Sequence, residues 1–246
     1  GFASSLVAPC IRSVGWESRA TDVDNTRRLR ETMTGLGAKF GIGDPAVVAA
    51  AHEKCMAFLS GEAISHDVRA SALQISTRSD TSVFHRLLER HGVTDDPMLK
   101  REMYAALACV PSDDLKRSVL DWALTDAVRA QDMHFLPMNV AGCGKDGARI
   151  VFSWIQDRYA DISRKVPPGG ILFQSIVRTS GADFATESDA VAIEAFWASK
   201  PVHRAIKKTL DQTVEGIRSR ARFVDSVRTS QVATSKYWLS LHGDLT

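Results

Sequence analysis

Apolar residues recur along this chain with the period of an α-helix, and residues that start or stop helices bracket each stripe. Asp44 followed by Pro45 predicts an N-cap and first-turn pair opening a helix over Ala46–Leu59, which Gly61 ends. Asp96 and Pro97 repeat the device ahead of Leu99, Met103, Ala106, Leu107 and Val110. Pro111 then opens a further predicted helix with Leu115, Val119, Trp122 and Ala123 on one face. After Gly147, a stripe of Ile150, Val151, Trp154, Ile155, Tyr159 and Ile162 runs toward the stop at Pro167-Pro168-Gly169-Gly170. Thr186, with Asp189 three residues on, reads as a capping box before Val191, Ile193, Phe196 and Trp197. The last long helix begins near His203 and turns Ile206, Leu210, Val214, Ile217, Ala221 and Val224 inward.

Alternating Val/Thr/Tyr-rich runs are scarce and only 7% of residues are aromatic, so the chain is expected to be all-α, with about ten to twelve helices. So many short helices cannot share one bundle core. Stacked antiparallel helix pairs in an α-α superhelix of HEAT/armadillo type, roughly 40–47 residues per pair, bury them more economically. Residues 1–246 are therefore expected to form a single helical-repeat domain, with Val166–Gly170 the one weak candidate for a break. Composition excludes several classes. A hydrophobic share of 44% with 24% charged residues argues against disorder. No apolar run approaches the roughly 18–20 residues of a membrane span, Ala46–Ala51 being among the longest. A net charge of +2 gives no whole-chain attraction to nucleic acid.

The search for chemistry yields no self-contained active site, and no catalytic or metal-ligating residue is assigned. His52-Glu53-Lys54-Cys55-Met56 resembles the zinc-binding H-E-x-x-H helix, but Met56 stands where the second histidine must be. His85 and His91 are six residues apart and so are placed on different helical faces; His66, His134, His203 and His242 are scattered. Gly35, Gly37, Gly41 and Gly43 lack the G-K-[ST] of a phosphate loop and are read as helix stops between helices. Cys10, Cys55, Cys109 and Cys143 are far apart without a C-x-x-C, and are read as buried free thiols. Between Lys200 and Arg228, eight basic residues face three acidic ones; the run offers a surface for nucleic acid or an acidic peptide, against which it interleaves with the apolar stripe as a solvated helix face would.

The segment from Leu124 to Ile162 adds a resemblance. It contains Val128-Arg129-Ala130-Gln131-Asp132, Val140-Ala141, Gly147-Ala148-Arg149, and Trp154-Ile155 ahead of Arg158-Tyr159 and Ile162. In the same order along the chain stand Val14-Gly15-Trp16-Glu17, Leu29-Arg30, Gly43-Asp44-Pro45-Ala46-Val47-Val48, Ala105-Ala106-Leu107-Ala108-Cys109, Phe184-Ala185-Thr186, Phe196-Trp197 and Arg204-Ala205-Ile206. This series resembles the C-terminal helical domain of the gluzincin zinc aminopeptidases, the group of the puromycin-sensitive, endoplasmic-reticulum and membrane alanyl aminopeptidases. That domain carries L-G-W-E, L-R, G-D-x-x-V-V, A-L-G/A-C, V-R-x-Q-D and W-x-F/I-x-x-N-W elements. The sequence departs from the family where Arg158-Tyr159 replaces N-W, where Gly142-Cys143 ends the V-A-x-N stretch, and where Pro137 interrupts a helix.

The resemblance implies a bowl-shaped superhelical domain, a C-terminal fragment of a larger protein whose zinc-bearing catalytic domain is upstream. It implies no cofactor in this part and zinc in the catalytic domain. Its implied partners are that catalytic domain and peptide substrates whose chamber the bowl encloses, with no nucleic acid and no membrane span. Arg129, Gln131 and Asp132 are the candidate peptide-binding or interdomain residues, since a guanidinium pairs with a carboxylate and Asp132 can orient it. Their structural alternative is a capping carboxylate with a salt bridge between repeats. A free-standing helical-repeat interaction scaffold without peptidase activity is the competing reading of the whole chain. The isolated cysteines point toward the cytoplasm.

Overall fold

Local caps define the helices before any packing does. In the computed structural model, which describes residues 2–40, 43–144 and 146–237, Asp44 accepts hydrogen bonds from the N–H groups of Ala46 and Val47 and so opens a helix at Pro45. Gly61, at φ 98°, closes it by donating to the carbonyls of Ala57 and Phe58. Along the first part of the chain the helices are α1 (Phe2–Val14), α2 (Asp24–Phe40), α3 (Pro45–Ser60), α4 (His66–Ser79) and α5 (Ser82–Gly92). There follow α6 (Pro97–Leu107), α7 (Asp113–Trp122), α8 (Phe135–Ala141), α9 (Gly147–Asp157) and α10 (Tyr159–Lys165). The last three are α11 (Ile171–Ser180), α12 (Glu187–Ala198) and α13 (His203–Thr229), before a 3₁₀ turn at Gln231–Ala233. No strand occurs among the described residues, and the protein is all-α.

Contacts group the chain into two compact units, Gly1–Ile150 and Val151–Thr246. Within the first, α2, α4, α6 and α8 pack one against the next to form one layer. The odd-numbered helices α1, α3 and α5 form a second, each packing on its even neighbour, with α3 touching both α1 and α5. This two-layer stack of helix pairs is the α-α superhelical arrangement. Within the second unit, α11 and α12 both pack on α13.

The layers are joined by apolar contacts. Ala8 and Ile11 of α1 meet Val47 of α3, with Trp16 and Met33 against them. Trp16 also touches the neighbouring cluster of Ala38, Ala51 and Ile75. Side chains such as Ile11, Leu73 and Leu87 are fully buried, each worth about 1.5–3 kcal/mol. In the second unit, Tyr159, Phe173, Phe196 and Trp197 interlock edge-on with ring centroids 5.0–6.5 Å apart. The Trp197 indole donates to Ser180 Oγ at 2.9 Å, and that hydroxyl in turn donates to the Val177 carbonyl.

The structure changes several sequence expectations. Gly35 and Gly37 lie inside α2 and not between helices; Gly37 is buried there, and Gly41 falls outside the described residues. The helix expected at Pro111 starts at Asp113, because Ser112 Oγ accepts the Leu115 N–H. The stripe from Ile150 to Ile162 is two helices, since Arg158 (φ −108°, ψ 15°) leaves the helical region between α9 and α10. Pro137 does not break a helix: α8 starts only at Phe135, so the missing N–H falls in the first turn, where none is needed. Val191 is exposed and Ala190 takes the buried position beside Ile193 and Trp197.

One polar cluster sits inside the first unit. The Arg30 guanidinium is fully buried and bonds Asp67 through Nη1 at 2.7 Å and Asp22 through Nη2 at 2.6 Å. Its Nε donates to the Gly15 carbonyl at 3.2 Å and its Nη2 to the Val14 carbonyl at 3.3 Å. The backbone N–H of Arg19 and the Arg30 guanidinium hold Asp22 below the usual carboxylate range. Burial opposes ionisation of Asp67, but hydrogen bonds from Ser65 and Arg30 outweigh it and depress that carboxyl too. Replacing Arg30 with Met is expected to cost about 3–5 kcal/mol in chemical denaturation, because Asp67 is left buried and uncompensated. The double variant Arg30→Met/Asp67→Leu should recover part of that loss; equal loss in both would mean the charge balance is not what matters.

Candidate functional site

Between α7 and α8 the chain runs through twelve non-helical residues, 123–134, mostly in turns, and these carry the Arg129, Gln131 and Asp132 motif. The segment is pinned in its middle by Val128 and near its end by Met133, both buried. The Asp132 N–H donates to the Arg129 carbonyl at 2.9 Å, closing a turn that folds the two side chains onto each other. Arg129 Nε and Nη2 both reach Asp132 Oδ2, at 2.7 and 2.6 Å. The ion pair therefore lies within one turn, not between repeats, and α8 takes no side-chain cap at its N-terminus. Asp132 is buried while Arg129 remains 48% exposed. A fixed carboxylate thus holds an outward-facing guanidinium. Gln131 is exposed on the same turn.

Beneath this turn are residues that the sequence reading did not bring together. His91 of α5 contacts Tyr104 Oη of α6 through Nε2 at 3.1 Å and stands edge-on to Trp122 of α7, centroids 4.9 Å apart. Burial, aided by the Lys100 charge and opposed by Asp132, pushes the His91 imidazole down to about 4. Burial and the Asp132 charge push the Tyr104 hydroxyl up to about 12. Burial likewise lowers His134, with the Arg101 charge adding to it. Arg101 is itself exposed and lies over the Phe135 ring at 4.8 Å. The site therefore presents two outward guanidinium groups, Arg101 and Arg129, above neutral aromatic and imidazole groups. The signal for His91 was in the sequence: Val83, Phe84, Leu87 and His91 share one face of α5, and all four are buried.

The other motifs place differently. His52 and Glu53 stand on α3, and among the described residues no three His, Cys, Asp or Glu side chains gather as a metal site requires. No helix is long and apolar enough to cross a membrane, among the residues described. The basic run of α13 is largely paired: Arg218 bonds Glu187 and Glu194, Lys207 bonds Asp211, Arg222 bonds Glu215, and Arg220 bonds the Gly181 and Phe184 carbonyls. Cys10 is exposed, contrary to the expectation of buried thiols, and Cys109 and Cys143, far apart in sequence, are neighbours.

Comparison with known proteins agrees with this architecture. Residues 1–219 match the ERAP1-like C-terminal domain. Aminopeptidase M1-A of Oryza sativa subsp. japonica is 26% identical over 234 residues, 92% of this chain and 26% of the relative. Aminopeptidase 2 of Candida albicans is 25% identical over 232 residues, covering 91% of this chain and 24% of the relative. Aminopeptidase M1 of Arabidopsis thaliana is 26% identical over 225 residues, again 87% and 24%. The chain spans about a quarter of the length of these curated relatives.

The low His91 value makes stability pH-dependent with a defined sign. A histidine held neutral in the fold stabilises above its ordinary value near 6.5 and loses that contribution as pH falls toward 4. Denaturant titrations of the protein and a His91→Gln variant should converge across that interval, the unsubstituted protein losing on the order of 2–3 kcal/mol more. Parallel curves would show that His91 titrates in the fold as it does in the unfolded chain and is not held neutral by burial.

Proposed function

Since the chain belongs to the ERAP1-like C-terminal domain family, the C-terminal part of M1 aminopeptidases, we propose that it is the noncatalytic domain that closes the substrate chamber of such an enzyme. Zinc and the peptide-cleaving groups belong, in this reading, to a separate catalytic domain of the same polypeptide. The observation that carries the proposal is the match over residues 1–219, joined to relatives that are aminopeptidases about four times as long.

Within that role, Arg129 takes the carboxylate of a bound peptide, with Gln131 beside it and Asp132 as the group that fixes its orientation. Arg101, over the Phe135 ring at the start of α8, supplies a second exposed cation. Three features support this. A buried Asp132 pays the orientational cost before the ligand arrives. The guanidinium faces outward, and its planar fork suits a carboxylate. The pairing across α13 weakens the alternative of an independent scaffold built on a basic helix, because most of those cations already have carboxylate or carbonyl partners.

In the polypeptide that joins this chain to its catalytic domain, Arg129→Ala should raise KM for peptides about tenfold while leaving kcat for a single aminoacyl fluorogenic substrate unchanged. The melting temperature should fall as well, because Asp132 is left buried without its partner, so the KM change is the readout that separates recognition from structure. An unchanged peptide KM accompanied by lost thermal stability would leave Arg129 a structural role only. A catalytic polypeptide that cleaves no aminoacyl substrate at all would remove the chamber reading itself.

A further inference from the structure

The two-layer stack brings together two cysteines that the sequence holds 34 positions apart. Cys109 and Cys143 occupy equivalent places, each two residues beyond the end of its helix, α6 and α8, and those helices pack together in one layer. Their sulfur atoms are 3.0 Å apart, and both are free thiols. The separation exceeds the roughly 2.05 Å of a disulfide bond but brings the sulfurs within reach of one. The pair lies in a cavity of about 470 Å³ also lined by Lys39, Phe40, Arg78 and Lys116.

The surroundings distinguish the two thiols. Cys109 is 3% exposed, whereas Cys143 is half-buried. Cys109 Sγ has the Ala105 carbonyl as acceptor at 3.3 Å and lies 3.8 Å from Arg78 Nη2. A thiolate at Cys143 is favoured first by the hydrogen bond from Cys109, and then by the charges of Arg78 and Lys116, against the cost of burial. The same hydrogen bond, with burial, pushes Cys109 up. Lys116 is itself tied to Asp113, and Asp146 lies at the cavity wall, so two carboxylates face the three cations of the lining. Neither of the other cysteines has this setting. Cys10 is exposed and bonds the Leu6 carbonyl of its own helix, while burial pushes Cys55 up to about 11.

We propose that Cys109 and Cys143 form a two-thiol oxidation site, at which a hydroperoxide entering the cavity oxidises Cys143 and Cys109 then closes a disulfide. The Cys143 thiolate attacks the outer peroxide oxygen. An S–O bond forms, the O–O bond breaks, and the alkoxide or hydroxide leaves as alcohol or water after taking a proton. Cys109 sulfur then displaces the hydroxyl of the Cys143 sulfenic acid; the S–S bond forms, the S–O bond breaks, and water leaves with the Cys109 proton. The two thiols lose two protons and two electrons, and the peroxide is reduced by the same two electrons. The product ties the end of α6 to the end of α8 across α7. It needs no movement of the layers, because the sulfurs are already adjacent.

The test treats purified protein carrying Cys10→Ser, which suppresses cross-linking between molecules, with a small molar excess of hydrogen peroxide. Intact mass should fall by about 2 Da, nonreducing peptide maps should join the Cys109 and Cys143 peptides, and dithiothreitol should reverse both. Cys109→Ser should leave a sulfenic acid at residue 143 that dimedone traps, and Cys143→Ser should leave Cys109 unoxidised under the same exposure. An Arg78→Gln variant keeps both thiols and should slow disulfide formation several-fold, which keeps the test open if a cysteine variant fails to fold. Unchanged mass, oxidation of the two thiols to separate sulfinic acids, or an undiminished rate in Arg78→Gln would overturn the proposal.

Discussion

Arg30 is the interaction on which the first unit's geometry depends. Its guanidinium donates to two carboxylates and two backbone carbonyls from four places in the chain: the end of α1, the turn at Gly15, the loop at Asp22 and the start of α4. A lysine could not reach all four, because its ammonium offers a single point with three donors, whereas the guanidinium presents a planar fork. Gly15 takes φ 72°, which turns the backbone so that its carbonyl meets the guanidinium and Trp16 enters the core. The buried charge is tolerated because Asp22 and Asp67 balance it and hydrogen bonds occupy the fork. Removing one partner would expose the cost of the others.

The same economy governs the turns around Arg129. A non-helical segment between two helices of a stack must satisfy its own backbone and side chains locally. Here Asp132 does so by anchoring Arg129, at a position where its charge is also felt by His91 and Tyr104. The cluster below is neutral and aromatic, which keeps the ion pair above it from being surrounded by competing charge. Order in this segment therefore comes from the buried Val128 and Met133 and from one carboxylate rather than from a helix, and it leaves the guanidinium outward. That separation of a fixed base from an accessible tip is what suits the turn to recognition.

Several family-like motifs turn out to be structural joints. Asp44 caps α3 and pairs with Arg12, and Glu17 of the Gly15-Trp16-Glu17 element pairs with Lys54. Phe184 gives its carbonyl to Arg220, and Thr186 caps α12 by accepting the Asp189 N–H. Gly147, within its Gly-Ala-Arg element, lies against the Val140 carbonyl so closely that a Cβ would collide with backbone. Their order along the chain reflects where helix pairs begin, end and meet. The same joints set Cys109 beside Cys143.

The sequence by itself determined the all-helical class, the caps at Asp44, Asp96 and Thr186, most apolar stripes and the family, because capping and periodicity act within a few residues. It placed Arg129 and Asp132 three apart, but not the turn that folds them together. Only the tertiary structure decided that α9 and α10 separate at Arg158, that His91 meets Tyr104, that Arg30 gathers four segments and that Cys109 meets Cys143. Those outcomes depend on which helices stack. Contacts between residues dozens of positions apart are set by the packing of whole faces, and no local pattern encodes which face meets which.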